Sequence, residues 1–262
     1  MPRRYRKRKR SFRKRRARGM QRIRTYRYKS RNIGGDRARA KLFFSSTANE
    51  VIAAGARYQV ETWCPNIGAT PQSLFPGISL QFGNCPGLST LANQFLRYRI
   101  RGIKVKYTIY PKQTDPATHE PVFFYVNAQA AGTSIQDSDQ GPQPAFPTPG
   151  IFNTPEQRWA KYAPVKFPMA GAAPTRLTVY YSVNKVFGPD AVVKNDESFT
   201  GQLKTTTPYW DNAVGAHPVH GIWIQHGVCT ISNNPTTVEQ KYVYVMQATL
   251  YTEFFGRRVQ TE

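Results

Sequence analysis

RYRIRGIKVKYTIYP, residues Arg97 to Pro111, carries the clearest pattern in the chain. Basic and apolar side chains alternate along it with a period of two, the spacing that sends neighbours to opposite faces of an extended chain. The alternation changes phase part-way. Arg97, Arg99 and Arg101 share one parity, and Ile103, Val105, Tyr107 and Ile109 then occupy it. One extra residue at Gly102 reconciles the two halves, and glycine is suited to a β-bulge. With that slip, Arg97, Arg99, Arg101, Lys104 and Lys106 form one basic row, opposite an apolar row of Tyr98, Ile100, Ile103, Val105 and Tyr107. Five like charges in a row repel one another unless an anion or carboxylates compensate, and few carboxylates lie nearby in sequence. Two readings stand: a solvated strand face with Asp or Glu partners, and a nucleic-acid contact carried by Arg99 and Arg101.

Upstream of this strand, Leu88, Leu91, Ala92, Phe95 and Leu96 recur at helical spacing and predict a short helix just before it. Residues 65–87 hold four prolines and read as loop. Between 56 and 63, Tyr58, Val60 and Thr62 alternate with Arg57, Gln59 and Glu61, which places one set inward. Downstream, VFFYV (Val122 to Val126) is apolar on both parities and reads as a strand buried on both faces. Residues 128–157 form a Pro/Gly/Gln-rich excursion. Strand patterns resume at Trp159 to Phe167, at 177–183, at Ile222 to Ile231 and at Tyr242 to Phe255, with a second long connection over 184–218. At least seven or eight strands with little helix predict an all-β fold of two antiparallel sheets. Long crossing loops favour a single eight-stranded jelly roll over an up-and-down barrel, occupying residues 42–262.

Residues 1–41 differ sharply in composition. Twenty are Lys or Arg and only Asp36 is acidic, giving +19 of the chain's +22; the other 221 residues hold 17 basic and 14 acidic side chains, a near-neutral +3. The first part of the run is Arg3, Arg4, Arg6, Lys7, Arg8, Lys9, Arg10, Arg13, Lys14, Arg15, Arg16 and Arg18. Arg22, Arg24, Arg27, Lys29 and Arg31 continue it. Such a segment repels itself and has little to bury, so it is expected to stay disordered until a polyanion neutralises it. Tyr5, Phe12, Ile23, Tyr26 and Tyr28 interrupt the charges. Guanidinium groups suit phosphates and the aromatic rings offer faces to unpaired bases, so the arm reads as binding single-stranded nucleic acid. A tail on an anionic membrane or acidic protein would carry the same charge, but no amphipathic stripe or lipidation signal accompanies it. Arg6, Lys7, Arg8, Lys9 and Arg10, with Arg13, Lys14, Arg15 and Arg16, also fit a nuclear import signal. Gly34-Gly35 marks a hinge. No apolar run suits a signal peptide or a membrane span, so no membrane insertion is expected.

Catalytic signatures are missing: no phosphate-cradling GxxxxGK[ST], no GxSxG, no HExxH. No cofactor is expected, and an enzyme is not. His217, His220, His226 and Cys229 fall close together, yet their spacing matches no zinc pattern, and His226 and Cys229 point to opposite faces of a strand, so no metal is expected. Cys64, Cys85 and Cys229 are too few for a disulfide framework and suit a reducing compartment, as buried small apolar residues.

An Arg-rich tail followed by an all-β body resembles the capsid proteins of circoviruses and circovirus-like small circular single-stranded DNA viruses. The resemblance rests on RYRIRGIKVKYTIYP behind a segment ending in Phe95, and on YVYVMQATLYTEFFGRR (Tyr242 to Arg258), which is similar to the family's long C-terminal strand. Together with the arm these cover about a third of the chain. The resemblance implies a single jelly roll, sixty copies in a small icosahedral shell, arms turned inward onto a single-stranded DNA genome, and delivery to the host nucleus by an import receptor. A host cell-surface receptor is a further expected partner, and by length and composition alone the loops at 128–157 and 184–218 are expected to be exposed surface. At one charge per nucleotide, sixty arms of +19 neutralise on the order of 1,100 nucleotides. Two rivals share the basic tail: a ribosomal protein, whose body is usually smaller and basic throughout, and a viral shuttle protein that binds single strands without building a shell.

Overall fold

The structure is a computed structural model. It describes residues 36–64, 85–112, 118–130, 146–166, 173–188, 197–207, 209–211, 216, 218 and 220–258. Among the described residues nine strands and three short α-helices follow one another. In chain order these are β1 (Arg37–Ile52), β2 (Tyr58–Trp63), α1 (Leu88–Gln94), β3 (Phe95–Pro111), β4 (Val122–Ala130), α2 (Asn153–Glu156), β5 (Lys161–Pro164), β6 (Thr175–Ser182), α3 (Val183–Phe187), β7 (Thr200–Gln202), β8 (Ile222–Thr230) and β9 (Gln240–Arg257).

All the pairings between strands are antiparallel. One sheet runs β1-β9-β3-β6, with β7 added to the start of β3; the other runs β2-β8-β4-β5. The eight long-path strands thus divide between two four-stranded sheets, and the fold is the eight-stranded jelly roll, with β7 as an extra three-residue ribbon. Inward side chains of both sheets interlock into one core around Trp63, Tyr98, Tyr107, Phe124, Tyr244 and Phe254, all buried.

The bulge is where the alternation places it. Against β9 the register of β3 shifts between Ile100 and Gly102, leaving Arg101 as the extra residue. Tyr98, Ile100, Ile103, Val105 and Tyr107 are consequently all buried on the core side. Gly102 also sits tight against β6: a Cβ built there lies 2.8 Å from the Tyr181 carbonyl oxygen and 3.0 Å from the Tyr180 hydroxyl. VFFYV is buried throughout, as a strand covered on both faces must be.

Two features differ from expectation. Strand β1 begins at Arg37, inside the stretch assigned to the arm, and the chain divides between Gly35 and Asp36 rather than after Lys41. The reason is periodicity: Ala38, Ala40, Leu42 and Phe44 turn inward between outward Arg37, Arg39, Lys41 and Phe43, so three of the arm's cations belong to a strand. The helix ahead of β3 stops at Gln94, because Phe95 and Leu96 already pair as strand. In β2 the inward set includes Glu61 and Trp63, whereas Val60 packs on the far face beside Phe123, Tyr125 and Cys229. Cys64, Cys85 and Cys229 are all buried. Among the described residues no helix is long and apolar enough to cross a membrane.

Replacing Gly102 with alanine forces its methyl group into the β6 backbone, which cannot yield as a flexible side chain would. The expected loss is roughly 1–3 kcal/mol of unfolding free energy, the usual cost of overpacking. A denaturant melt checks it; an unchanged midpoint contradicts the close approach.

Candidate functional site: a basic sheet face and a buried polar cluster

The basic row of β3 does lie on the side of the sheet away from the core, but its members meet different surroundings. Arg97 Nη1 donates to Glu197 Oε1 at 3.2 Å in solvent. Arg99 is buried; its guanidinium lies 4.9 Å from the centre of the Phe255 ring and donates to Thr200 Oγ1 at 3.3 Å. Arg101 Nη1 donates to Glu253 Oε2 at 3.2 Å, and Arg39 reaches the other oxygen of the same buried carboxylate at 3.6 Å. Glu253 stands on β9, beside Arg39, Arg99 and Arg101, so the carboxylate that compensates Arg101 comes from 152 residues away rather than from the neighbourhood in sequence. A buried anion between guanidinium groups ties β1, β9 and β3 together, and removing it would leave cations unpaired. Arg99 and Arg101 are therefore engaged in holding the sheet, which argues against the nucleotide contact read for them. Beyond the bulge, Lys104 and Lys106 continue the row in more open surroundings.

The remaining residues assigned to nucleic acid, Arg3 to Arg31, and the import clusters at Arg6–Arg10 and Arg13–Arg16 lie outside the described residues. So does His217. Of the other three members of the His/Cys group, His220 packs against Phe187 and Phe199, Cys229 faces the small cluster of Phe123 and Tyr125, and His226 points between the sheets. They do not converge.

His226 instead organises a polar cluster that periodicity did not reveal. Its partners are Trp63 on β2, Tyr107 on β3 and Tyr244 on β9, with Glu61 and Glu50 close by. Trp63 Nε1 donates to His226 Nδ1 at 3.1 Å. An indole N–H can only donate, so Nδ1 accepts and the ring proton sits on Nε2. That proton is directed at Tyr244 Oη, 3.0 Å away, and the tyrosine donates in turn to Glu61 Oε2 at 3.1 Å. Tyr107 Oη approaches Nδ1 at 3.2 Å. Single donor atoms of Glu50, Glu61 and His226 lie within 4.8 Å of one another, a spacing a metal ion could use. The tautomer speaks against it: the Nε2 lone pair that would bind a cation already carries the proton, fixed by Trp63 on the other side of the ring. The donor set fits a hydrogen-bond relay joining the two sheets. His226, Tyr107, Tyr244 and Glu50 are buried, and Glu61 is only partly so.

Burial sets the charges here. Glu50 Oε1 has no hydrogen-bond partner, and burial, with Glu61 nearby, pushes the Glu50 carboxyl up to about 9. Burial raises Glu61 to about 7 against the opposing hydrogen bond from Tyr244. Burial lowers His226 to about 3, keeping it neutral. Both carboxyls hold protons more firmly folded than unfolded, so their contribution is full below their ordinary values and is lost as pH rises toward 9. His226 acts oppositely, resisting protonation, so its contribution is lost as pH falls from 6.5 toward 3. The thermal midpoint should therefore decline between pH 6.5 and 9, and Glu50→Gln, which keeps the neutral shape, should flatten that decline. A flat profile in the parent protein contradicts this assignment of charges.

No protein-family model matches the chain. No curated protein matches it either. Among solved structures it is similar to the decameric BFDV capsid protein, with 14% identity, 84% of this chain and 99% of that chain covered, and a TM-score of 0.34. The 60-mer of the BFDV capsid protein gives 13% identity, 87% and 99% coverage and a TM-score of 0.33. Cocksfoot mottle virus gives 7%, 84%, 97% and 0.39.

Proposed function

We propose that the chain is a viral coat subunit that assembles into a closed icosahedral shell and packages single-stranded DNA through its basic arm. The observation that carries this reading is the joining of two unlike parts. A jelly roll, a fold used by viral capsids among others, has its first strand from Arg37, and residues 1–35, separated from that strand by Asp36, hold 17 basic and no acidic side chains. With Arg37, Arg39 and Lys41 in the strand, sixty arms of +17 neutralise roughly 1,000 nucleotides. Nuclear import by a host receptor through the Arg6–Arg10 and Arg13–Arg16 clusters, and receptor binding through the loops at 128–157 and 184–218, belong to the same proposal.

Purified protein should form uniform closed particles in negative-stain micrographs. Removing residues 1–35 should spare the particles' subunit fold, since every described core residue lies beyond Asp36, and abolish nucleic-acid content measured by absorbance ratio. A protein that stays monomeric at high concentration sinks the shell in favour of a single-strand shuttle protein. For import, a fluorescent reporter carrying residues 1–35 should accumulate in nuclei and lose that localisation when both clusters are replaced; an excluded reporter removes the import role and leaves packaging standing.

A further inference from the structure

The two sheets of the sandwich are not finished alike. In the β2-β8-β4-β5 sheet, the whole of β8 and the first seven residues of β4 are buried on both sides. Among the described residues the outer face of the β1-β9-β3-β6 sheet is open, with Phe43, Ser45, Lys106, Thr178 and Tyr180 exposed. Antiparallel register lines its outward residues into rows that cross all four strands. One row is Phe43, Thr249, Lys104 and Tyr180; the next is Ser45, Gln247, Lys106 and Thr178; a third ends at Arg176 beside Thr108. On the other side of the first row, Lys41 faces Tyr251 and Gly102.

Rings and cations are interleaved on this face. Phe43 is 54% and Tyr180 48% exposed. Tyr180 and Tyr251 meet edge to face with centroids 5.6 Å apart, and Lys41 Nζ lies 5.6 Å from the Tyr251 centroid. The absence of a side chain at Gly102 leaves the room that Tyr180 uses, its hydroxyl coming within 3.0 Å of where a Cβ would sit. No carboxylate stands in register with Lys104, Lys106 or Arg176: their cross-strand neighbours are Thr249, Tyr180, Gln247, Thr178 and Thr108.

We infer that this open face is a base-stacking platform for single-stranded nucleic acid, with Phe43, Tyr180 and Tyr251 as the stacking surfaces and Lys41, Lys104, Lys106 and Arg176 as phosphate contacts. The inference rests on the packaging reading and adds a second, folded site to it. Aromatic rings between cations at strand spacing accept unpaired bases of any sequence, whereas a duplex hides those faces. A second copy of the chain is a poor occupant, because a twofold self-contact would set the same lysines and arginines against each other. The face also begins on β1, whose outward Arg37 and Arg39 continue the basic stretch without a break in the chain, so a strand captured by one is delivered to the other at high effective concentration.

The test uses the full-length protein and an oligothymidylate carrying bromodeoxyuridine, cross-linked by light and mapped by mass spectrometry. Adducts at Tyr180 and Tyr251, together with protection of Lys104 and Lys106 from acetylation by the oligonucleotide, are the expected result. Adducts confined to residues 1–35 overturn the platform while leaving packaging by the arm intact. Failure to bind the oligonucleotide at all overturns both. Protection of the two lysines by assembly of nucleic-acid-free protein assigns the face to a subunit interface and overturns the platform. In parallel, changing Lys104, Lys106 and Arg176 together to glutamine should reduce the log–log salt slope by about 2, at roughly 0.7 for each phosphate the variant no longer neutralises. An unchanged slope counts against these three side chains as phosphate ligands.

Discussion

The fold depends on the insertion of β9 between β1 and β3. Of the eighteen residues of β9, sixteen pair one-to-one with β1 along one edge, and the other edge pairs with β3. Without it the first sheet has no middle, the Glu253 carboxylate that neutralises Arg39 and Arg101 is missing, and Tyr244 no longer links His226 to Glu61. The inward row of β9, including Tyr244, Met246, Ala248 and Leu250, is wholly buried, and its large apolar side chains each contribute about 1.5–3 kcal/mol by leaving water. The outward row of the same strand carries Tyr251 and the threonine and glutamine that separate the cations of the open face. One strand thus supplies the centre of the core and the floor of the exposed surface.

Charge is distributed by the same geometry. Cations gather at the start of the chain and on the open sheet face, while carboxylates are held where they serve the fold. Glu253 binds arginines at the bulge end of the sheet, and Glu50 and Glu61 sit between the sheets with their carboxyls raised by burial. The bulge at Arg101 separates the two uses of the β3 row. Before it, arginines are absorbed by Glu253, Phe255 and Thr200; after it, Lys104 stands between Thr249 and Tyr180 and Lys106 between Gln247 and Thr178.

Much of this was legible in sequence because strands with a buried face write their period directly. The phase change at Gly102 located the bulge, and the continuous apolar run of Val122 to Val126 located a strand covered on both faces. Strand β1 escaped because its outward positions are Arg37, Arg39 and Lys41, so composition grouped it with the arm although Ala38, Ala40 and Leu42 keep the period. The Glu253 pairing and the cluster of Glu50, Glu61 and His226 had no local signal. They arise from the order of strands, which brings together residues more than a hundred positions apart, and one glutamate in an alternating segment looks the same whether it faces solvent or a histidine. The parity that turned Glu61 and Trp63 inward was likewise decided by what stands across the sandwich.

The order of strands has a consequence for synthesis. The first sheet cannot be completed in the sequence in which the ribosome delivers it: β3 can pair with β6 and β7 as they emerge, but among the described strands β1 pairs with β9 alone, and β9 is the last of them in the chain. Non-local pairing of this kind is slow and leaves β1 with bare hydrogen-bonding edges in the meantime. Throughout that interval the basic stretch is already outside the ribosome and able to meet RNA, while the sheet face has yet to form. Nascent chains can therefore collect polyanions before any surface exists that could join one subunit to another, and completion of β9 acts as a built-in delay between the two.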